Sequence, residues 1–559
     1  MSPSPPSFSI GLDLGTSSVR ALCVDTQSGA ILACVEHPYL AGVEGIVSDD
    51  RDPNIARQHP GDLLDRTLDA LRGVVAHASH VTTLDPRTCA GIGVDSTGST
   101  PLPLDANGTP LAFRPEFASE PAALAWLWKD HSAHAEAAEI TEDAIRSGLP
   151  YLSRSGGVYS SEWYWSKLLR LSRTHPNVAE AAAAWIELSD YIVAALTGTT
   201  KRPARGVCAA GHKGLYDDSW GGLPAREFLD ALHPGLSRFR ESFASPAQPG
   251  GTPAAGLSSE LALRVGLPAG TPVSVGVLDA HAGAIGSGVA PGVLVKILGT
   301  SACDCLVSPS DPGLIPGVAG IVPGSILPGM LGIEAGQPAV GDLFSWFARF
   351  VSEGSGETPD RALVRLTEAA QRLRPCGTGL LALDWSNGSR SPIMDPLLSG
   401  LIVGLSLRTS QADVFRTLVE ATAFGAREII DAVTRAGVLV ERIVACGGIA
   451  EKSPFVMQVY ADVTARRIDL AGAPHACALG AAILGAVAGL AHTSVEAAQR
   501  AMVPAPSRTF RPDPDRLRAY EELRTISATL REGFASPNAA APLFPVMKRL
   551  IDLRARACP

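Results

Sequence analysis

The chain has 559 residues, more than one hydrophobic core usually serves, which predicts two domains. Its 46% hydrophobic and 18% charged residues fit a well-packed globular protein and exclude a disordered one. A formal net charge of −9 with no lysine-rich tract argues against a nucleic-acid partner, and no run of about 18 strongly apolar residues offers a membrane span.

The N-terminus, "MSPSPPSFSIGLDLG", lacks the basic and long apolar regions of a secretory signal, so a cytoplasmic location is expected. "FSIGLDLG" and "VRALCVD" read as two strands flanking a Gly-Thr-Ser-Ser turn, and "CAGIGVDSTGS" (89–99) as a strand running into a polar loop. Helical spacing is predicted over 121–139 and 160–173. Trp126, Trp128, Trp163 and Trp165 there are read as core or interdomain packing rather than sugar stacking. "SPAQPGGTPAAGLSS" (245–259) reads as a surface loop. An apolar strand, Val273 to Leu278, then delivers Asp279 to an Ala/Gly-rich helical stretch. "PGVLVKILGTSACDCLVS" opens a second unit of paired strands.

Residues 411–436 make the clearest amphipathic helix, with Val414, Leu418, Ala421, Gly425, Ile429 and Val433 on one face and Gly437 at its C-terminal end. "ACALGAAILGAVAGLA" (476–491) reads as a buried helix, and "VMKRLIDLRARA" (546–557) as a peripheral one. The alternation of strands and helices predicts an α/β fold. None of the ten cysteines forms a CxxC pair. Cys303 and Cys305 fall one strand repeat apart, and all ten are read as small hydrophobes in a reducing compartment.

Two segments repeat. "LDLGTSSVRALCVD" (12–25) and "KILGTSACDCLVS" (296–308) both set Leu-Gly-Thr-Ser between β-type runs. "GIGVDSTGS" (91–99) and "IVACGGIAEKS" (443–453) both carry a strand into a glycine-bearing loop. The same order in each half predicts duplicated domains facing each other across a cleft, 1–290 and 291–559.

A Gly-Thr-Ser turn suits an anion, because glycine permits close approach and successive N–H groups converge. Two such hairpins would grip a polyphosphate from both sides, where one alone is as well read as a plain turn. No GxxxxGK[ST] or GxGxxG element accompanies them, which excludes a Walker A loop and a protein-kinase glycine loop. Asp13, just before the first turn, is placed to reach a divalent ion on the phosphates, or else simply orders the turn. Asp279 fits two roles equally: a helix cap, or the base that orients a hydroxyl for phosphoryl transfer. His281 is read as structural.

Together these residues resemble the FGGY family of carbohydrate kinases over about Ser9 to Leu490. "GVDSTGSTPLPLD", "WLWKDHSAHAEAAEI", "YSSEWYWSKLLR", "WIELSDYIVAALTGT" and "GIEAGQPAVGDLFSWF" carry the likeness. "AGHK…SWGGLP" and "LDWSNG" favour the members that phosphorylate L-ribulose. The resemblance implies two actin-like (ribonuclease-H-like) α/β domains flanking a catalytic cleft. It implies Asp279 as base and Asp13 as the magnesium-associated acid. It also implies Gly15, Thr16, Ser17, Gly299 and Thr300 on the phosphates, with Gly341, Gly447, Gly448 and Lys452 near the nucleotide. Ser96, Lys213 and Glu334, with Asp279, would hold the sugar. Ser345 and Lys452 depart from the amides that several relatives carry near the nucleotide.

The implied activity is ATP- and magnesium-dependent phosphorylation of L-ribulose to L-ribulose 5-phosphate in L-arabinose catabolism. The alternatives are a kinase for D-ribulose, ribitol or xylulose, or a non-catalytic sugar or nucleotide sensor. The expected partners are a small-molecule pentulose and ATP, without nucleic acid or membrane, and a homodimer is kept open.

Overall fold

A computed structural model describes residues 7–49, 51–82, 84–536, 538–540 and 543. The helix expected at 546–557 and Cys558 lie outside the described residues. Two seven-stranded sheets carry the molecule. The first contains β1 (Phe8–Leu14), β2 (Ser18–Asp25), β3 (Ile31–Pro38), β4 (Cys89–Ser96), β5 (Pro253–Gly256), β6 (Pro272–Ser274) and β7 (Val277–Leu278). Its order is β5-β6-β4-β1-β2-β3, with β7 also beside β4. The β1–β2 hairpin is antiparallel and β4 runs parallel to β1. Helices important to the cleft are α1 (Tyr164–Thr174), α2 (Val207–Gly214) and α3 (Asp279–Gly286).

The second sheet repeats the plan. It contains β8 (Gly292–Leu298), β9 (Ala302–Ser308), β10 (Gly320–Pro323), β11 (Leu331–Gln337), β12 (Val440–Cys446), β13 (Arg467–Leu470) and β14 (Arg508–Phe510), in the order β10-β11-β9-β8-β12-β13-β14. The β8–β9 hairpin corresponds to β1–β2, and β12 lies parallel to β8 as β4 does to β1. This is the duplication the two Gly-Thr-Ser segments predicted. Around this sheet are α4 (Gly341–Ser352), α5 (Gln411–Arg435), α6 (Gly448–Lys452), α7 (Ala476–Ala488) and α8 (Pro514–Ala535). The α5 helix opens on a capping box between Ser410 and Asp413, and Gly437 follows it at φ 86°.

The central strand β1 is buried at every position, which requires cover on both faces. One cover comes from the other half of the chain. Helix α7 lies on β1 and β4 so closely that a Cβ on Gly93 would meet the Ala481 carbonyl oxygen at 1.8 Å. The α3 helix packs on α7 as tightly: a Cβ on Gly480 would fall 1.8 Å from the Ala282 carbonyl oxygen. At the other side of α3, Cys305 of β9 donates its thiol to the Ala280 carbonyl at 3.6 Å. The Ala/Gly composition of both helices is therefore a condition of their contact.

Three local expectations change. Within 121–139 a 3-10 turn spans Pro121–Ala123, and an α-helix begins only at His134 and runs to Arg146. Ala125–Trp126 instead forms a short strand on Arg57 and Gln58. Within the presumed surface loop, Pro253–Gly256 is the edge strand β5, and Gly250 and Gly251 are buried. The apolar run before Asp279 is broken at Val275–Gly276, because a Cβ on Gly276 would lie 2.8 Å from Cβ of Ser189.

A buried polar network stiffens the second sheet. The Lys296 ammonium donates to both Asp304 oxygens at 2.9 Å and to Gln337 Oε1 at 3.1 Å. Gln337 in turn donates to Asp384 at 2.8 Å, which accepts from Arg531 of α8 at 2.6 Å.

Candidate active site

Between the sheets lies a cavity of about 230 Å³, lined from both halves. Asp279 stands on its wall as the first residue of α3, half-buried. Leu278, not Asp279, occupies the cap position, although Oδ1 of Asp279 accepts the Ala280 N–H at 2.7 Å. Burial, then the charge on Asp13, pushes the Asp279 carboxyl up to about 7. A carboxylate poised there accepts a proton and releases it near neutral pH.

Asp13 ends β1 almost fully buried, and Arg20 of β2 donates to its Oδ2 at 3.3 Å. Burial outweighs that cation and raises its carboxyl. Asp95, which sequence reasoning passed over, sits in register with Asp13 on one side and Val277 on the other. It is fully buried, and burial with the charges of Asp13 and Asp279 pushes its carboxyl well above the usual range. Strand register alone could have found it, since the last acid of β4 must face the last acid of β1.

Lys213 and Glu334 line the same cavity. Lys213, on the buried helix α2, donates to Glu334 Oε1 at 2.8 Å and Oε2 at 3.1 Å, and lies 5.5 Å from the Trp163 ring centre. It is not a solvated lysine. Burial would raise the Glu334 carboxyl, but the Lys213 ammonium beside it holds it well below the usual range. Ser96 stands one step behind the wall, its hydroxyl on the Thr97 carbonyl, while Thr97 and Gly98 line the space. That loop is clamped from below by Lys167, fully buried, which donates to the carbonyls of Ser99, Trp126 and Leu127 at 2.8, 3.2 and 2.9 Å.

The tryptophans divide. Trp126 and Trp165 are core residues, whereas Trp128 and Trp163 line the cavity. Trp128 donates its indole N–H to Thr16 Oγ1 at 3.0 Å, which joins the first turn to the wall. Glu162 and Arg390, also unassigned from sequence, face each other at 3.3 Å from the two halves. Their signal was only polarity inside "YSSEWYW" and "SNGSR".

Gly15, Thr16 and Ser17 form the first turn, closed by Gly15 N–H to the Ser18 carbonyl at 3.0 Å. Gly299, Thr300 and Ser301 form the second and line the cavity directly. The start of α4 docks on it, with Gly341 N–H on the Gly299 carbonyl at 3.1 Å. Gly447, at φ 92°, passes the Leu298 carbonyl so closely that a Cβ would sit 2.5 Å away. Gly448 faces open space, and Lys452 is exposed at the end of α6. Gly341 and Gly447 thus gather at the second turn. The oxygen-only set of Asp13, Asp95 and Asp279, carrying more carboxyls than cations, fits a hard divalent ion together with phosphate oxygens.

The sequence profile of the FGGY family of carbohydrate kinases, N-terminal domain, matches residues 8–286, and that of the C-terminal domain matches residues 294–489. The chain belongs to this family. A ribulokinase from Vibrio parahaemolyticus is 40% identical over 530 residues, covering 90% of this chain and 92% of the relative. One from Shouchella clausii is 39% identical, covering 98% of each. Among solved structures, a xylulose kinase from Rhodospirillum rubrum superposes with a TM-score of 0.76 at 24% identity over 94% of this chain and 98% of that one. A Plasmodium falciparum glycerol kinase with ADP gives 0.74 at 15% identity, over 94% and 98%. The fold is the two-domain, actin-like α/β architecture of the sugar kinases. Among the described residues, no helix is long and apolar enough to cross a membrane.

Proposed function

We propose that the protein transfers the γ-phosphoryl group of ATP to the 5-hydroxyl of L-ribulose, giving L-ribulose 5-phosphate in the cytoplasmic catabolism of L-arabinose. The curated relatives named ribulokinase support the sugar assignment. The observation that carries the chemistry is the arrangement of one cavity. Asp279, with its carboxyl near 7, shares the cavity wall with the Lys213–Glu334 pair and the Gly299–Thr300 turn.

Each side chain then has a task. Glu334, ionised, accepts from sugar hydroxyls, and Lys213 donates to a sugar oxygen. Trp128 and Trp163 offer faces to the carbon skeleton. Asp279 accepts the hydrogen bond of the terminal hydroxyl, orients its oxygen in line with the γ-phosphorus, and takes its proton as the new P–O bond forms. The two Gly-Thr-Ser turns, one from each half on either side of residue 290, direct backbone N–H groups and hydroxyls to the phosphates. Asp13 would hold the magnesium, which supplies charge neutralisation on the phosphates when bound. Gly341, Gly447, Gly448 and Lys452 would border the nucleotide.

A panel of L-ribulose, D-ribulose, xylulose and ribitol, followed by coupled ADP release, tests the reading. The expected result is the highest kcat/KM with L-ribulose and a product whose phosphorus couples to the C5 protons. ADP release that no sugar raises above background would refute kinase activity, and a clear preference for another sugar would replace the substrate.

A further inference from the structure

Behind the sugar-facing carboxylate lies a second tier that the reaction above does not use. His212 of α2 and His281 of α3 stack with ring centres 4.5 Å apart and 29° between their planes. Both are shielded from solvent. Each turns one nitrogen toward the same atom, Oε2 of Glu334: Nε2 of His281 at 3.4 Å and Nδ1 of His212 at 3.7 Å. Neither nitrogen has another hydrogen-bond partner. A buried N–H left unpaired is costly, so what each nitrogen carries decides what it does to Glu334.

The opposite nitrogens fix the protons. Nδ1 of His281 lies 3.1 Å from Cys208 Sγ. That sulfur already accepts the Leu278 N–H at 3.4 Å, and burial raises the thiol so that it stays protonated. Its S–H therefore points at Nδ1, and the imidazole's own proton sits on Nε2, aimed at Glu334. His212 is arranged the other way. Its Nε2 lies 2.9 Å from Ser325 Oγ, whose hydroxyl proton goes to the Val322 carbonyl at 3.0 Å, so Nε2 donates and Nδ1 is a lone pair. Gly320 makes room for that ring, since a Cβ there would fall 1.9 Å from Nδ1.

We infer that His281 is a positioning residue for the sugar-binding carboxylate: its Nε2–H closes on Oε2 of Glu334 while Lys213 holds Oε1, fixing the rotamer that meets the pentulose. His212 sets the plane of His281 by stacking. The inference rests on the proposed reading that Glu334 binds the sugar. The same three side chains bring their ligand atoms within 4.8 Å of one another, as a metal site would. Lys213 argues against a metal, because its ammonium already spans both carboxylate oxygens and a divalent ion would be buried beside it. The titratable groups facing this pair are Lys213, His212, Asp279, Arg390, Cys208 and Cys305.

The full-length enzyme carrying His281→Leu or His281→Gln tests this. Leu fills the space without a donor, whereas Gln returns an N–H at similar reach. With Leu, KM for the pentulose should rise about tenfold or more, the range for a lost bond to a charged group, with KM for ATP changed less than about twofold. Gln should recover most of the loss between pH 6 and 9. Cys208→Ala, which frees the tautomer, should raise pentulose KM in the same direction and serves if the Leu variant does not fold. Equal pentulose KM in the Leu and Gln variants, an unchanged KM in the Leu or the Cys208→Ala variant, or one equivalent of tightly bound zinc in the purified protein would overturn the inference. A wild-type enzyme inactive on every sugar would instead sink the kinase reading itself, so the two failures are distinguishable.

Discussion

Asp279→Asn separates the cost of the base to the fold from its value to the reaction. The change is nearly isosteric, and the amide oxygen can keep the 2.7 Å bond from the Ala280 N–H. Without a proton acceptor, kcat should fall by about 10²–10⁴, the usual contribution of a positioned base. Stability should move the other way. The carboxyl titrates near 3.8 when unperturbed and at about 7 in the fold. Between those values the unfolded chain is ionised while the folded site holds its proton, so stability falls as pH rises, and the penalty is complete above pH 7.

At about 1.4 kcal/mol per unit that penalty has a ceiling of about 4 kcal/mol, and contact with cavity water reduces it to on the order of 1–3 kcal/mol. Asparagine has no proton to lose. The variant should match wild type in thermal unfolding near pH 4 and exceed it increasingly up to pH 8, while ATP binding stays close to normal. Coupled ADP release at saturating pentulose gives the rate, and calorimetric scans across pH give the stability. A kcat within tenfold of wild type, or a stability gain that does not grow with pH, would show that Asp279 is neither a base nor a strained carboxylate.

The same titration sets the pH profile. Since Asp279 must be ionised to accept the hydroxyl proton, kcat/KM for the pentulose should decline on the acid side with a midpoint near 7, and a flat profile down to pH 5 would contradict it. Gly341→Ala would place a Cβ 2.6 Å from the Gly299 carbonyl, so the second turn must shift; KM for ATP should rise several-fold with pentulose KM unchanged in initial-rate measurements. Gly93→Ala would drive a methyl into the Ala481 carbonyl at 1.8 Å, lifting α7 from the first sheet. The expected loss reaches the upper end of the overpacking range, about 3 kcal/mol, read from denaturant midpoints.

What the sequence disclosed follows from where the physics is local. A glycine, two hydroxyl residues and flanking β-runs suffice to write a hairpin, so both Gly-Thr-Ser turns were legible, and their repetition announced the duplicated sheets. The apolar face over 411–436 and Gly437 bounded α5 for the same reason, while the capping box at Ser410 went unread. Where tertiary partners decide, sequence failed. Ala125–Trp126 is extended because Arg57 and Gln58 pair with it, while Arg57 stacks over the Trp126 ring at 3.6 Å. Asp279 was undecided between cap and base because one residue does part of both: it holds a first-turn amide and faces the cavity. His281 was read as structural because neither Cys208, which sets its proton, nor Glu334, which it faces, is near it in sequence.

The exchange of helices explains how one cavity draws on both halves without losing its alignment. Asp279 begins α3, α3 rests on α7, and α7 lies on β1 and β4, the strands that carry Asp13 and Asp95. Asp279 is thereby held to the first-sheet acids by backbone contacts that leave no room for a methyl group. Across the cavity, the contact between halves is of a different kind. Glu162 and Arg390 meet at 3.3 Å as a partly exposed ion pair, worth on the order of 1 kcal/mol or less. Lys213–Glu334 and His212–Ser325 also join the halves through side chains, whereas α3 and α7 meet backbone to backbone. Asp279, Asp13 and Asp95 are thus held in register by helices packed at glycines, while Lys213 and Glu334 are held by side-chain bonds that reach from one half to the other.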